Sequence, residues 1–445
     1  MQLRNLIPLK IFPILLVNFI GILGYSIVVP ILIFIVTDFG GNGFIYGILG
    51  ATYPFFQFLG APILGKLSDR IGRKKVLVIS QLGTFLAWML FILAFVIPET
   101  ELWSSNVDST SPYVMTLPLL TIFFARMVDG FTGGNISVAN AYLSDISTDG
   151  DRNANFGKMG ASTSLGFVLG PAFAGVLAST IMGELLPLIL AALISLVAIF
   201  IIQIRLEETV PCVVNVGTIR LRSLRRFFQV EHKNCFQEGE ADNQGPKNSF
   251  RNILHVPRIP LLYGIYFLTF LAFSLFYAGL PIYANTELGW SAKELGIFLA
   301  YSSLIMVIVQ GPILGRLQKF VPNERLIALG AITLALAFVL LSRDSIGLMY
   351  LANTLLSFGN GIMWPSFMAL LARTGDAKSQ GAIQGYGNSM GSMASMFGLI
   401  LGGLLFEQIS TGVFLLAGLL FIIIFVLTGS FLLKGPKLAS LEKSH

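Results

Sequence analysis

Apolar runs long enough to cross a bilayer constrain this chain more than any other feature. LLPLILAALISLVAIFIIQI, beginning at Leu185, is unbroken by charge, and about 20 such residues in a helix span the hydrocarbon core. Runs of this kind divide the sequence into twelve expected spans, at 11–36, 43–64, 75–97, 116–143, 157–180, 185–204, 259–284, 294–314, 325–342, 346–371, 382–406 and 411–433. A content of 55% hydrophobic and 12% charged residues, with mean hydropathy +0.78, excludes a water-soluble globular domain. Transmembrane barrels show short alternating segments instead, so the expected fold class is an all-α polytopic membrane protein. The first 36 residues read as the first span and not as a cleavable signal, because the apolar stretch is too long and no small-residue cleavage pattern follows it.

The net charge of +6 has a topological origin. All 29 lysines and arginines except Arg126, Lys293 and Arg343 fall in the segments on one side of the twelve spans. Positive residues stay with cytoplasmic loops, so both termini are expected in the cytoplasm of a cell-membrane protein. No nucleic-acid partner is implied. Cys212 and Cys235 lie in the polar stretch after the sixth span, as does His232, while His255 and His445 sit in the linker and tail. No disulfide framework, metal site or other cofactor is expected from them.

The chain also repeats itself. APILGKL at 61–67 returns as GPILGRL at 311–317, each time at the end of the second span of a six-span half, and Pro30 and Pro281 stand near the ends of spans 1 and 7. Two parallel repeats follow, a common transporter plan. The expected units are residues 1–206, a linker at 207–258, and residues 259–445. Within the linker, TIRLRSLRRFF either forms an amphipathic surface helix or stays a solvated basic tether.

Three strings carry the chemistry. In GKLSDRIGRKKVL at 65–77, Gly65 permits close helix approach, Asp69 suits the N-terminal amides of a helix in the other half, and Arg73 can pair with Asp69 or with Asp145 at the end of span 4. These four residues are a candidate conformational latch that holds the outward-facing state; the alternative is a positive anchor only. Span 4 contains ARMVDGFTGGNISVANAYLSDI from 125. At about 100° per residue, Arg126, Asp129, Gly130, Gly133, Ser137, Asn140 and Ser144 share one face. Arg126 and Asp129 form either a fixed brace or a proton- or substrate-responsive pair, since ionisable groups in a span turn to a partner or a watery cavity. Span 5 reads GFVLGPAFAG at 166–175, a motif of Gly166, Gly170, Pro171 and Gly175 in which Gly166, Gly170 and Ala174 form a small stripe that permits tight packing and Pro171 bends the helix. Gly387, Gly391, Ser395, Gly398 and Gly402 give span 11 a similar seam, and both seams are candidate contacts on which the halves rock.

Together with YPFFQFLGAPILGKLSDRIGRKK and QGYGNSMGSM at 384–393, these strings resemble the major facilitator superfamily, and within it the tetracycline and multidrug proton-antiporter branch. The span 2–3 string resembles that family's G-x-L-a-D-r-x-G-r-k signature, span 4 its R-x-x-x-G-x-G motif, and span 5 the G-x-x-x-G-P-x-x-G-G pattern associated with antiporters. The resemblance implies twelve helices in two pseudo-symmetric six-helix bundles, alternating access and proton coupling. One departure stands out: that branch commonly carries an aspartate in span 1 where this chain has Gly21, which leaves Asp129, with Arg126, as the proton-coupling candidate.

Cavity candidates are Asn18, Tyr25, Arg126, Asp129, Asn140, Tyr277, Asn360 and Trp364, with an aromatic stripe at Phe267, Phe270, Phe273 and Tyr277 on span 7. The expected function is secondary transport of a small, amphiphilic organic solute with protons, as an exporter. The alternatives are an importer or facilitator of an organic metabolite, and a non-transporting scaffold or receptor. No enzyme chemistry is expected, and a monomer in the lipid bilayer is the expected state.

Overall fold

The computed structural model describes residues 10–105, 113–148, 151–209, 250–343, 345–374 and 380–432. Helix α1 is Phe12–Val28, continued after a 42° bend by Leu32–Asp38. The bend falls at Pro30, which supplies no backbone N–H to the helical ladder. Then follow α2 (Gly43–Ile71), α3 (Arg73–Ala94), α4 (Leu117–Gly133 continued by Ile136–Asp145), α5 (Arg152–Ala178) and α6 (Leu185–Arg205). The second half holds a short helix, Phe250–Leu254, then α7 (Ile259–Thr286), α8 (Ala292–Phe320), α9 (Asn323–Leu341), α10 (Ile346–Ala372), α11 (Gln380–Ile409) and α12 (Gly412–Ser430). Residues 210–249, with the basic string TIRLRSLRRFF and both cysteines, lie outside the described residues, as do His445 and 375–379.

Among the described residues, ten helices are unbroken and apolar enough to cross a bilayer, and the bent α1 makes eleven. The expected span at 116–143 is interrupted instead. At Gly134 and Asn135 the backbone tightens into i to i−3 bonds, Gly134 to Phe131 at 3.3 Å and Asn135 to Thr132 at 3.1 Å. Gly134 can do this while packed on α2: a Cβ there would stand 2.5 Å from the Ala61 nitrogen. Both pieces of α4 remain beside α2 and α3.

The same helix pairs form in each half. The contacts α1 with α5, α3 with α4, α3 with α6 and α1 with α6 recur as α7 with α11, α9 with α10, α9 with α12 and α7 with α12. Across the halves, α2 packs on α11 and α5 on α8, which are the same pairing under that repeat. The repeated string differs locally: around Pro312, α8 widens into a π-helical turn over Val309–Ile313, whereas APILGKL in α2 is α-helical.

Two local features depart from the sequence expectation. The segment 65–71, expected as loop, is the last turns of α2, and the reversal into α3 is Gly72 alone, at φ 108°. That conformation is open to glycine and strained for other residues. Polar Lys66, Asp69 and Arg70 mark where the helix leaves the apolar layer and not where it ends. Between α3 and α4 lies an antiparallel hairpin, β1 (Glu101–Ser105) and β2 (Tyr113–Thr116), in an otherwise helical chain. It is tied to the α1–α2 turn by Val114 N–H to Gly40 C=O at 2.8 Å and Thr116 Oγ1 to Phe39 C=O at 2.9 Å. This end of the bundle is called the hairpin end below, and the end at which α1 begins the terminal end.

Candidate functional site

Two glycines let α4 press against α2. A Cβ on Gly130 would overlap the Tyr53 carbonyl, and one on Gly133 would stand 2.5 Å from the Tyr53 hydroxyl. The contact brings the Tyr53 ring beneath Arg126, whose guanidinium carbon lies 5.5 Å from that ring, 5.8 Å from Tyr25 of α1 and 5.9 Å from Phe91 of α3. Tyr25 and Tyr53 themselves stand 4.5 Å apart between centroids. An arginine is thus held in an aromatic cage, an arrangement worth about 2 kcal/mol where water is excluded.

Its counter-charge is Asp129, one turn along α4. Arg126 is 2% and Asp129 3% exposed. Their nearest oxygen and nitrogen, Oδ2 and Nη1, are 3.9 Å apart, beyond hydrogen-bonding reach. Both of those atoms, and Arg126 Nε, are buried without a hydrogen-bond partner, and so are Gln81 Nε2 and Trp88 Nε1 of α3. Buried polar atoms are almost always bonded, so the interior of the first half is an under-bonded polar core. Nearby, Ser80 Oγ donates to the Thr132 carbonyl, and the Thr84 and Thr132 hydroxyls are 3.2 Å apart.

From this core one path leads to the other half. Gln57, one turn beyond Tyr53 on α2, donates through Nε2 to the Tyr53 hydroxyl at 3.2 Å and to the Gly133 carbonyl at 3.3 Å. Its Oε1 accepts from Ser392 Oγ of α11 at 3.2 Å. Closer to the hairpin end the Tyr46 hydroxyl donates to the Tyr277 carbonyl of α7 at 2.9 Å.

At the hairpin end the halves meet backbone to backbone. A Cβ on Gly47 would stand 2.7 Å from the Leu399 carbonyl oxygen and 3.2 Å from Gly403 Cα; one on Gly175 would overlap Gly296. Glu407 of α11 accepts the Phe44 N–H at the start of α2 at 3.1 Å. Toward the terminal end of the same helices, Gly157 and Gly160 in α5, Gly311 and Gly315 in α8, and Gly385 in α11 have open space, with no atom within 4 Å of where a Cβ would stand.

The remaining sequence candidates divide. Asn18 donates to Ser162 Oγ at 2.7 Å and Thr163 Oγ1 at 2.8 Å, tying α1 to α5 within one half. Tyr25 belongs to the cage. Asn140 is half-buried in the second piece of α4, and Asn360 half-buried in α10. Trp364 joins an aromatic cluster, 5.3 Å from Tyr266, 5.4 Å from Phe270 and 5.6 Å from Phe367. Tyr277, 37% exposed although its carbonyl bonds across the halves, borders the space between them.

Three of the four candidate latch residues meet, Arg73 with Asp69 and Asp145, and none of these bonds ties the halves to each other. Arg73 bonds Asp69 at 2.6 Å and Asp145 at 3.1 Å, and its backbone N–H meets Glu208 Oε1 at 2.7 Å. These contacts lie within the first half. Gly65 faces Ser137, which donates to the Ala61 carbonyl at 2.9 Å. In α5, Gly166 and Gly170 pack on Ile22 and Ser26 of α1, while Gly175 alone of that motif reaches the other half. Likewise Gly391, Gly398 and Gly402 of α11 pack on α7 in their own half. The seams mostly hold each half together, and the glycine-to-glycine contacts between halves are Gly175 with Gly296 and Gly403 with Gly43 and Gly47.

Tyr53, Gln57, Ser392 and Glu407 join the site without having been candidates on sequence grounds. The visible signal for the first two is their spacing, i and i+4 in the apolar part of α2.

Two six-helix repeats joined through equivalent helices are an architecture common among transporters. Comparison with known proteins agrees. The sequence pattern of the Major Facilitator Superfamily matches residues 14–317 and 262–445, and the chain belongs to that superfamily, a family of transporters and not of enzymes. It is 28% identical over 379 residues to the tetracycline resistance protein, class C, of Escherichia coli, covering 84% of each chain. It is 25% identical over 416 residues to multidrug resistance protein 2 of Bacillus subtilis, covering 93% of each. The fold is similar to that of the human organic anion transporter MFSD10, with a TM-score of 0.65 at 19% identity over 94% of this chain and 99% of that one.

Proposed function

We propose that the protein is a proton-coupled exporter of a small amphiphilic organic solute, and that residues 1–206 and 259–445 rock about the linker 207–258. The observation that carries this reading is the under-bonded Arg126–Asp129 pair. A pair this poorly satisfied is held by its surroundings, so adding or removing one proton changes which surroundings suit it. The names of the resistance-protein relatives support the direction of transport. The aromatic cluster around Trp364 and the exposed ring of Tyr277 suit an apolar, ring-containing solute. Lysine and arginine placement supports a cytoplasmic terminal end, and with that orientation the close approach at the hairpin end corresponds to an inward-facing form. Transport by purified protein in proteoliposomes with an imposed pH gradient tests the reading. Accumulation against the solute gradient, collapsed by an ionophore, is the expected result.

A facilitator without proton coupling is the second reading, and one observation favours it. Gly21, on the same side of α1 as Tyr25, has nothing within 4 Å of a would-be Cβ. The span 1 carboxylate of the antiporter branch is therefore missing from a position with room for it. Flux in both directions that ignores the pH gradient would establish this alternative.

A further inference from the structure

We infer that Gln57 is the positioning residue that carries the state of the Arg126–Asp129 pair to the interface between the halves, through Tyr53 on one side and Ser392 on the other. The inference rests on the proposed role of the pair in coupling.

The chain of contacts is continuous. The Arg126 guanidinium rests on the Tyr53 ring, the Tyr53 hydroxyl accepts from Gln57, and Gln57 accepts from Ser392 in the opposite half. The amide cannot be turned round at no cost. The Gly133 carbonyl has only lone pairs to offer, so it requires the Nε2 donor. That leaves Oε1 as the face toward Ser392. Both donors of Gln57 are thus spent on the helices that hold the pair, and its acceptor on α11. The groups around the Asp129 carboxylate are Arg126 on its own helix, Tyr25 from α1, Tyr53 from α2, and Thr84 from α3, an uncharged hydrogen-bond partner. Any shift of Arg126 on losing its counter-charge is felt first by the three rings of the cage, Tyr25, Tyr53 and Phe91, and of the three it is Tyr53 that is bonded to a group crossing between the halves. The other side-chain tie in this region, Tyr46 to Tyr277, runs from α2 to α7; Tyr46 senses the Arg126 charge at a distance but is not one of the three rings that pack on the guanidinium. A chain of packed and bonded groups becomes a coupling path only when breaking its middle is shown to uncouple its ends.

The experiment reads conformation without transport. Spin labels at Ile181 and Lys293, exposed positions at the hairpin end of different halves, go into the full chain with Cys212 and Cys235 replaced by Ser. Pulsed dipolar spectroscopy then gives the ratio of closed to open hairpin ends. In that parent, Asp129→Asn leaves Arg126 without its counter-charge in the closed form, and the closed-to-open ratio is expected to fall at least about threefold. In the Gln57→Leu background, and separately in Ser392→Ala, the same substitution is expected to change the ratio by less than about 1.5-fold, the signature of non-additive partners in one network. An undiminished shift in both backgrounds overturns the inference, and so does the absence of a shift in the parent. Ser392→Ala keeps the test decisive if Gln57→Leu fails to fold. Proton-driven flux is measured separately on the unlabelled protein: its absence alongside the expected shifts refutes the exporter reading and leaves the Gln57 link standing.

Discussion

Glu407 and Phe44 join the two halves at the hairpin end: the carboxylate of one accepts the backbone N–H of the other at 3.1 Å, at the start of α2. The first N–H groups of a helix lack partners within it and attract negative charge. Glu407 is therefore a cap supplied from the opposite half, and it exists only while that end is closed. Glu407→Ala should cost the closed form about 1 kcal/mol, a roughly fivefold rise in the open fraction. Faster thiol labelling of Tyr277→Cys from the hairpin side would show it, and unchanged labelling would make the bond incidental.

Arg126→Ala removes a cation and leaves the Asp129 carboxylate buried alone. The expected loss is about 3–5 kcal/mol of stability, read as a lowered melting temperature in detergent, with impaired uphill and downhill transport. Asp129→Asn should abolish accumulation driven by a pH gradient and preserve downhill exchange. Full pH-driven accumulation by that variant would place the proton elsewhere.

Gly296→Ala puts a methyl group into the Gly175 backbone, with no flexible side chain to move aside. It should disfavour the closed hairpin end and slow turnover at least about tenfold, because overpacking costs about 1–3 kcal/mol. Gly315→Ala, with nothing within 4 Å of its Cβ position, is the control. Equal turnover in the two variants would contradict the assignment.

The Asp69 side chain is 57% exposed, and exposed ion pairs add about 0–1 kcal/mol. Asp69→Asn should leave melting nearly unchanged while slowing transport severalfold, through the balance of conformations. Normal turnover would reduce Asp69 to part of a surface anchor.

Orientation is tested by impermeant thiol reagents. Ser104→Cys and Lys293→Cys should label from outside the cell, and Lys319→Cys only from inside. The reverse pattern would overturn the orientation drawn from charge.

The helical wheel of α4 is informative because that helix is mixed: Arg126, Asp129, Gly130 and Gly133 fall on one face in the sequence and are all buried in the structure. Helix α1 gives no such guidance. It is apolar all round, so nothing in its pattern says whether Asn18 looks toward the centre or toward a neighbour, and the structure spends it on Ser162 and Thr163 of α5. Gln57 is hidden for another reason. Its partners are a tyrosine one turn back, a backbone carbonyl 76 residues later and a serine 335 residues later, and the last two need a fold to be found. The hairpin after α3 is equally hard to read, because its two short strands are held by each other and by the α1–α2 turn, with no long periodic run to announce them.

Gly175 and Gly296 touch without a side chain on either one. Most packed pairs can trade volume during divergence, one residue shrinking as its partner grows. Here neither residue has anything left to remove, so no second-site change at the partner can absorb a substitution at the first. Descendants of this sequence that lose either glycine must set their halves farther apart at this end, and the spacing between the halves is inherited through two positions that code for no side chain at all.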